Sequence, residues 1–87
     1  DVSLNYKNLT IMAKEHLLDT SGLKCPMPIL KAKKKLLMIK AGDILQVIST
    51  DPSSTKDFIA FCNQTSNILI SNEQKEDKFL FKIAKNN

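Results

Sequence analysis

Three prolines punctuate this chain, and every one of them stands at an expected helix start. Pro26 and Pro28 bracket Met27 directly after Cys25, and Pro52 follows Asp51. Proline suits the first helical position, because its missing N–H would find no intrahelical partner there. Cys25-Pro26-Met27-Pro28 therefore predicts a helix from Pro28 to about Lys40. Asp51-Pro52-Ser53-Ser54 predicts a second, with Asp51 as N-cap and Pro52 at the first helical position, running to about Thr65. A chain of 87 residues makes one small domain, which buries only ~60% or a little more of the surface that the unfolded chain exposes.

Between the helices the pattern is that of strands. His16 to Leu18 is a short apolar-containing run, closed by Asp19-Thr20-Ser21-Gly22. Ala41-Gly42-Asp43 stops the first helix, and Ile44 to Ile48 reads as a buried strand. Asn67 to Ser71 and Phe79 to Ala84 are two more, joined by the polar stretch Asn72 to Asp77 as a hairpin connection. On the first helix Ile29, Ala32, Leu36 and Leu37 share a face with Leu30 at its edge, and Lys31, Lys34 and Lys35 lie opposite. Lys33 falls inside the apolar arc. Phe58, Ile59, Phe61 and Cys62 form the apolar side of the second helix. The order β-α-β-α-β-β predicts an α+β fold, a two-layer sandwich with two helices on one face of a four-stranded mixed sheet. Residues 1–14 show no steady period and no signal-peptide pattern, and are expected to form a tail before a domain at 15–87. Met12 is the expected natural start, with residues 1–11 upstream or vector-derived.

Composition narrows the function. No apolar run approaches the ~18 to 20 residues that cross a bilayer, so no membrane partner is expected. The two cysteines lie far apart, which argues against a disulfide framework and a thiolate metal site and makes a reducing cytoplasm the default compartment. The net charge is +4, and the 13 basic residues are all lysine. Lysine is a mobile point charge without the planar fork that arginine offers to phosphates and base edges. Acidic protein partners or loose phosphate attraction fit this better than sequence-specific nucleic-acid readout.

Cys25 is the candidate for chemistry. A thiol acts as nucleophile or sulfur carrier only as thiolate, so its pKa must fall below the free value of ~8.5. Three features act in that direction. Pro26 biases Cys25 toward an extended conformation. The helix expected from Pro28 leaves the Ile29, Leu30 and Lys31 amides unpaired at its positive end. Lys24, Lys31 and Lys33 add positive charge. The bland alternative is a cysteine that merely precedes a helix. His16, the lone histidine, reads as a capping or surface residue rather than half of a Cys–His dyad. Hydrolysis without a base is improbable, whereas sulfur transfer needs none, since a persulfide is already a good nucleophile whose outer sulfur a partner thiolate can attack.

Leu18-Asp19 followed by Gly22-Leu23-Lys24-Cys25-Pro26-Met27-Pro28-Ile29-Leu30 resembles the TusA (SirA-like) family of sulfur carriers. Lys33, Gly42-Asp43, Asp51-Pro52, Thr55, Asp57 and Cys62 fit the same pattern, and the resemblance spans roughly His16 to Lys85. It implies a βαβαββ sandwich akin to the C-terminal domain of translation initiation factor 3. It also implies a cytoplasmic sulfurtransferase without a cofactor or metal, in which Cys25 takes sulfane sulfur as a persulfide. The donor would be a cysteine desulfurase or a rhodanese, and the acceptor a downstream protein of a sulfur relay, as in 2-thiolation of a tRNA wobble uridine. Gly22, Pro26, Met27 and Pro28 would present the thiol, and Lys24, Lys31, Lys33 and Asp51 would meet partner or anion. Cys62 is expected to be buried. Met27 departs from the acidic residue that several tRNA-thiolation members carry there, which bears on the acceptor. The competing functions are a basic nucleic-acid-binding module, with Lys31, Lys34 and Lys35 on phosphates, and a thiol-dependent regulator that passes no sulfur on.

Overall fold

Ile44 to Ser49 alternates half-buried and buried residues, the period of a strand with one face against a core. Leu45 and Val47 point into that core with no exposed surface. The computed structural model describes residues 14–86, and the expectations for the tail up to residue 13 and for the start at Met12 lie outside them. In chain order the elements are β1 (Glu15–Thr20), α1 (Met27–Met38), β2 (Ile44–Ser49), α2 (Ser54–Thr65), β3 (Ile68–Lys75) and β4 (Lys78–Ala84). The sheet order is β1-β2-β4-β3. β1 runs parallel to β2, and β4 is antiparallel to both β2 and β3. The expected α+β sandwich with a mixed four-stranded sheet is what forms.

The core lies between the sheet and the two helices. Leu45 and Val47 of β2 with Phe81 and Ile83 of β4 meet Ala32 and Leu36 of α1 and Phe58, Phe61 and Cys62 of α2. Phe58 and Phe81 stack with ring centroids 4.6 Å apart, a pairing that adds about 0.5–1.5 kcal/mol to the burial of the rings themselves. Because β1 and β2 are parallel with Thr20 opposite Ser49, both strands end on the same edge of the sheet. Both following helices begin there. This places the β1–α1 and β2–α2 loops side by side.

Several sequence expectations shift. α1 begins at Met27, with Pro26 as N-cap and Pro28 already inside the first turn. It stops at Met38, with Ile39 extended. Asp51 is not the cap of α2: that position belongs to Ser53, and Pro52 lies in the preceding turn. Leu37 is 75% exposed and Ile59 is 42% exposed, so neither joins the core that helical spacing assigned them to. The sheet covers a narrower arc of each helix than their apolar residues span. β3 continues through the polar stretch to Lys75, and only Glu76 and Asp77 remain as the turn between the paired Lys75 and Lys78. Polar residues are tolerated there because this end of an edge strand is exposed on both faces, while the ladder to β4 supplies its backbone bonds.

Candidate functional site

The two helix starts meet through hydrogen bonds between their loops. In the first loop, Ser21 N–H binds Asp19 Oδ1 at 2.9 Å and Leu23 N–H binds Thr20 O at 3.1 Å. Gly22, at φ +82°, occupies backbone space that disfavours a Cβ, and its N–H reaches across to Thr50 Oγ1 at 2.8 Å. Cys25 N–H donates to Asp51 Oδ2 at 2.6 Å, while Asp51 Oδ1 accepts Ser53 N–H at 3.1 Å. One carboxylate thus joins the two loops. Beneath it Ser49 Oγ accepts Asp51 N–H at 3.1 Å and shares a buried hydrogen bond with Ser54. Pro28 is fully buried and anchors the motif, so that Cys25, Pro26 and Met27 stand exposed above it. The Cys25–Pro26 peptide bond is cis.

Gly22, Leu23, Lys24, Cys25, Thr50, Asp51, Pro52 and Ser53 line a shallow hollow of about 480 Å³. Of the residues singled out in the sequence, the fold therefore gathers Gly22, Lys24, Cys25 and Asp51 in one place. Lys31 is exposed on α1. Lys33 lines a different hollow between the helices, with Leu36, Leu37, Phe61, Thr65, Asn67 and Lys85. His16 is bound to Asp43, Nε2 to Oδ2 at 3.0 Å. It lies four residues before the end of β1, about 13 Å away along the strand, so a dyad with Cys25 does not form.

The electrostatics of the thiol reverse the expectation from sequence. The thiol is held above its ordinary pKa, first by the Asp57 carboxylate, then by partial desolvation and by the negative charges of Asp57 and Asp51, while the Ser53 hydroxyl pulls the other way. Of the amides expected to stabilise a thiolate, Leu30 N–H is committed to Pro26 O at 3.0 Å, and the neighbouring Met27 N–H binds Lys24 O at 2.8 Å. The Lys24 charge helps hold the Asp51 carboxyl below its usual range, behind the hydrogen bonds from Ser53 and Cys25. Cys62 lies in the core instead. It is 3% exposed, and burial pushes its thiol up to about 11. Among the described residues no group of three or more metal-ligating side chains comes together.

Asp57, Thr50, Ser49 and Ser54 were not picked out by sequence as parts of a site. Asp57 enters the sequence reading only among the residues that fit the family pattern, with no role attached to it. The hydroxyls carry no signal until the strand register sets one loop against the other.

An exposed thiol held where two parallel helices begin, on a β-α-β-α-β-β sandwich with no histidine beside it, defines a small thiol-presenting domain. Residues 16–85 match the model of the family described as sulfurtransferase TusA, and the chain belongs to that family. It is 53% identical over 68 residues to the sulfur carrier protein TusA of Allochromatium vinosum, covering 78% of this chain and 90% of the relative. A putative sulfur carrier protein of Neisseria meningitidis serogroup A is 47% identical over 62 residues, 71% of this chain and 84% of that one. A SirA-like protein of Desulfitobacterium hafniense shares the fold, with a TM-score of 0.72 over 82% of this chain and 97% of that one, at 20% identity.

Proposed function

We propose that this protein carries sulfane sulfur on Cys25 as a persulfide, between a donor such as a cysteine desulfurase or rhodanese and a downstream protein of a sulfur relay in the cytoplasm. The observation that carries this reading is the exposed thiol itself, fixed by Asp51 through its own backbone N–H and backed by a buried proline, in a chain whose relatives are named sulfur carriers. Loading is an exchange. The Cys25 sulfur attacks the outer sulfur of the donor's persulfide, the donor's S–S bond breaks, and a new one forms on Cys25. Intact mass after incubation with a cysteine desulfurase, cysteine and PLP should show a gain of one sulfur. The gain should vanish in Cys25→Ser and survive in Cys62→Ser. Unchanged loading of Cys25→Ser would refute the assignment.

The docking surface for that donor lies along α1. Met27, Leu30 and Leu37 are 40%, 50% and 75% exposed, and the spacing from 27 to 30 to 37 puts them on one helical stripe that starts beside Cys25. Exposed Lys31 and Lys34 flank it. An apolar surface with an acidic rim complements this stripe in both respects. The double variant Leu30→Ser/Leu37→Ser should slow transfer from the desulfurase with Tm unchanged. Equal transfer would place the docking surface elsewhere. No helix among the described residues is long and apolar enough to cross a membrane.

A further inference from the structure

The sheet has two faces, and the helices cover only one of them. On the other, Leu17 of β1 is 62% exposed, and Ile44 and Ile48 of β2 with Leu80 and Ala84 of β4 are half-buried. Strand alternation places all five on this face, because Leu18, Leu45, Val47, Phe81 and Ile83 beside them point to the core. A sheet face turned only to water would carry polar residues at these positions. The charges on this face are sorted by strand. Exposed Glu15 and Asp19 flank Leu17 on β1, and exposed Lys82 lies on β4 in the same row as Leu17 and Gln46. We propose that this face pairs with the same face of a second copy of the chain, about a two-fold axis that runs along β2.

Charge selects that axis. A two-fold across the strands would lay β1 on β1 and β4 on β4, setting Glu15 against Asp19 and Lys82 against Lys82. A two-fold along the strands but between β2 and β4 would lay β1 on β3. It would bring Asp19 against Glu73, which shares a row with Ile48 and Leu80. Like charges so placed disfavour both arrangements. With the axis along β2, β1 of each copy lies on β4 of the other, and Leu17 faces Lys82. The Lys82 stem then covers Leu17 while its ammonium stands between Glu15 and Asp19, each about 7 Å away along the strand. The contact occurs twice, as in every two-fold pair. At the centre Ile44 and Ile48 meet their own counterparts, and so does Gln46, whose amide both donates and accepts. A contact three strands wide buries less than the ~1,200–2,000 Å² of stable complexes, so the pair forms reversibly with concentration. Both thiols stay free, since α1 lies in the other layer and Cys25 is exposed at the end of the sheet.

Sedimentation equilibrium from micromolar to millimolar protein is the test. Wild type should pass from monomer to dimer and stop there. Lys82→Glu sets a carboxylate between Glu15 and Asp19 at both contacts and should raise the dimer dissociation constant about tenfold. Glu15→Lys/Asp19→Asn should also weaken the dimer, and it keeps an oxygen acceptor for Ser21 N–H. All three altered side chains are exposed, so both variants should melt as wild type does. Mixed in equal amounts, the two variants should dimerise more tightly than either alone, because each contact between unlike copies again pairs opposite charges. A wild type that stays monomeric at millimolar concentration would overturn the proposal, as would growth beyond the dimer. So would an unchanged dissociation constant in Lys82→Glu, or a mixture no tighter than its components. No sulfur is transferred in this assay, so its outcome is independent of the carrier reading.

Discussion

The two ends of the sheet carry the same device with different outcomes. Where β1 and β2 begin, Asp43 accepts Lys14 N–H and Lys40 N–H, each at 3.3 Å, and binds His16 Nε2 at 3.0 Å. Where they finish, Asp51 accepts the N–H groups of Cys25 and Ser53. In each case one carboxylate pins two chain segments that are distant in sequence. Asp43 is closed over, 6% exposed, and its third partner is a histidine. Asp51 is only half-buried and leaves a thiol outside it. Each loop also contains a glycine at positive φ, Gly42 at one end and Gly22 at the other. The fold thus builds a rigid clasp twice and places a reactive group on only one of them.

Replacing each aspartate by asparagine breaks the comparison most strongly. An amide offers one acceptor oxygen where each carboxylate uses two, so one backbone donor loses its partner at either end. Asp43→Asn should lower Tm by several degrees, and more than Asp51→Asn, because its groups are farther from water. Asp51→Asn should instead slow sulfur loading of Cys25, which Asp43→Asn leaves alone. The effect of Asp43 has a defined dependence on pH. The hydrogen bond with His16 comes first in holding its carboxyl below the ordinary range, with the Lys14 and Lys40 amides adding to it. A folded pKa below the unfolded one stabilises the protein above the unfolded value, and that stabilisation fades as pH falls through the folded value. Melting curves of wild type and Asp43→Asn should therefore be separated at neutral pH and converge in acid. A gap that widens on acidification would mean that Asp43 is not held as the carboxylate.

The architecture was legible in the sequence because its signals are local. Prolines and glycines punctuate the helices, and the run of branched apolar residues from Ile44 to Ile48 marks a buried strand. The site was legible only at Cys25. The acidity of its surroundings was not, because Asp57 is separated from it by a whole strand and joins it only through the parallel pairing of β1 with β2. Lysines close in sequence suggested added positive charge at Cys25, yet Lys33 lines the cleft that Phe61 and Thr65 also line. Leu37 was misassigned for a related reason: helical spacing gives the direction of a side chain but not how far the sheet reaches around the helix.

The smallest expected difference lies in the two glycines, and it separates stability from function most cleanly. A Cβ at Gly22 or Gly42 would meet nothing within 4 Å, so neither position is sterically filled. What an alanine would cost there is backbone strain alone, about 1–2 kcal/mol for a non-glycine residue in the left-handed region. The φ values, +82° and +92°, are close. Gly22→Ala and Gly42→Ala should therefore destabilise equally, a Tm shift of about 4–8 °C per kcal/mol in a domain of this size. Relief of the strain acts differently at the two ends. Around Gly42 it would pull against the bonds of Gly42 N–H to Lys85 O and of Asp43 N–H to Lys40 O, far from the thiol. Around Gly22 it would pull on the bond to Thr50 Oγ1 and so on the loop that carries Cys25. Sulfur loading, measured well below both melting temperatures, should fall in Gly22→Ala and stay at the wild-type rate in Gly42→Ala. Equal loading in the two variants would mean that the Asp51 clasp alone sets the position of the thiol.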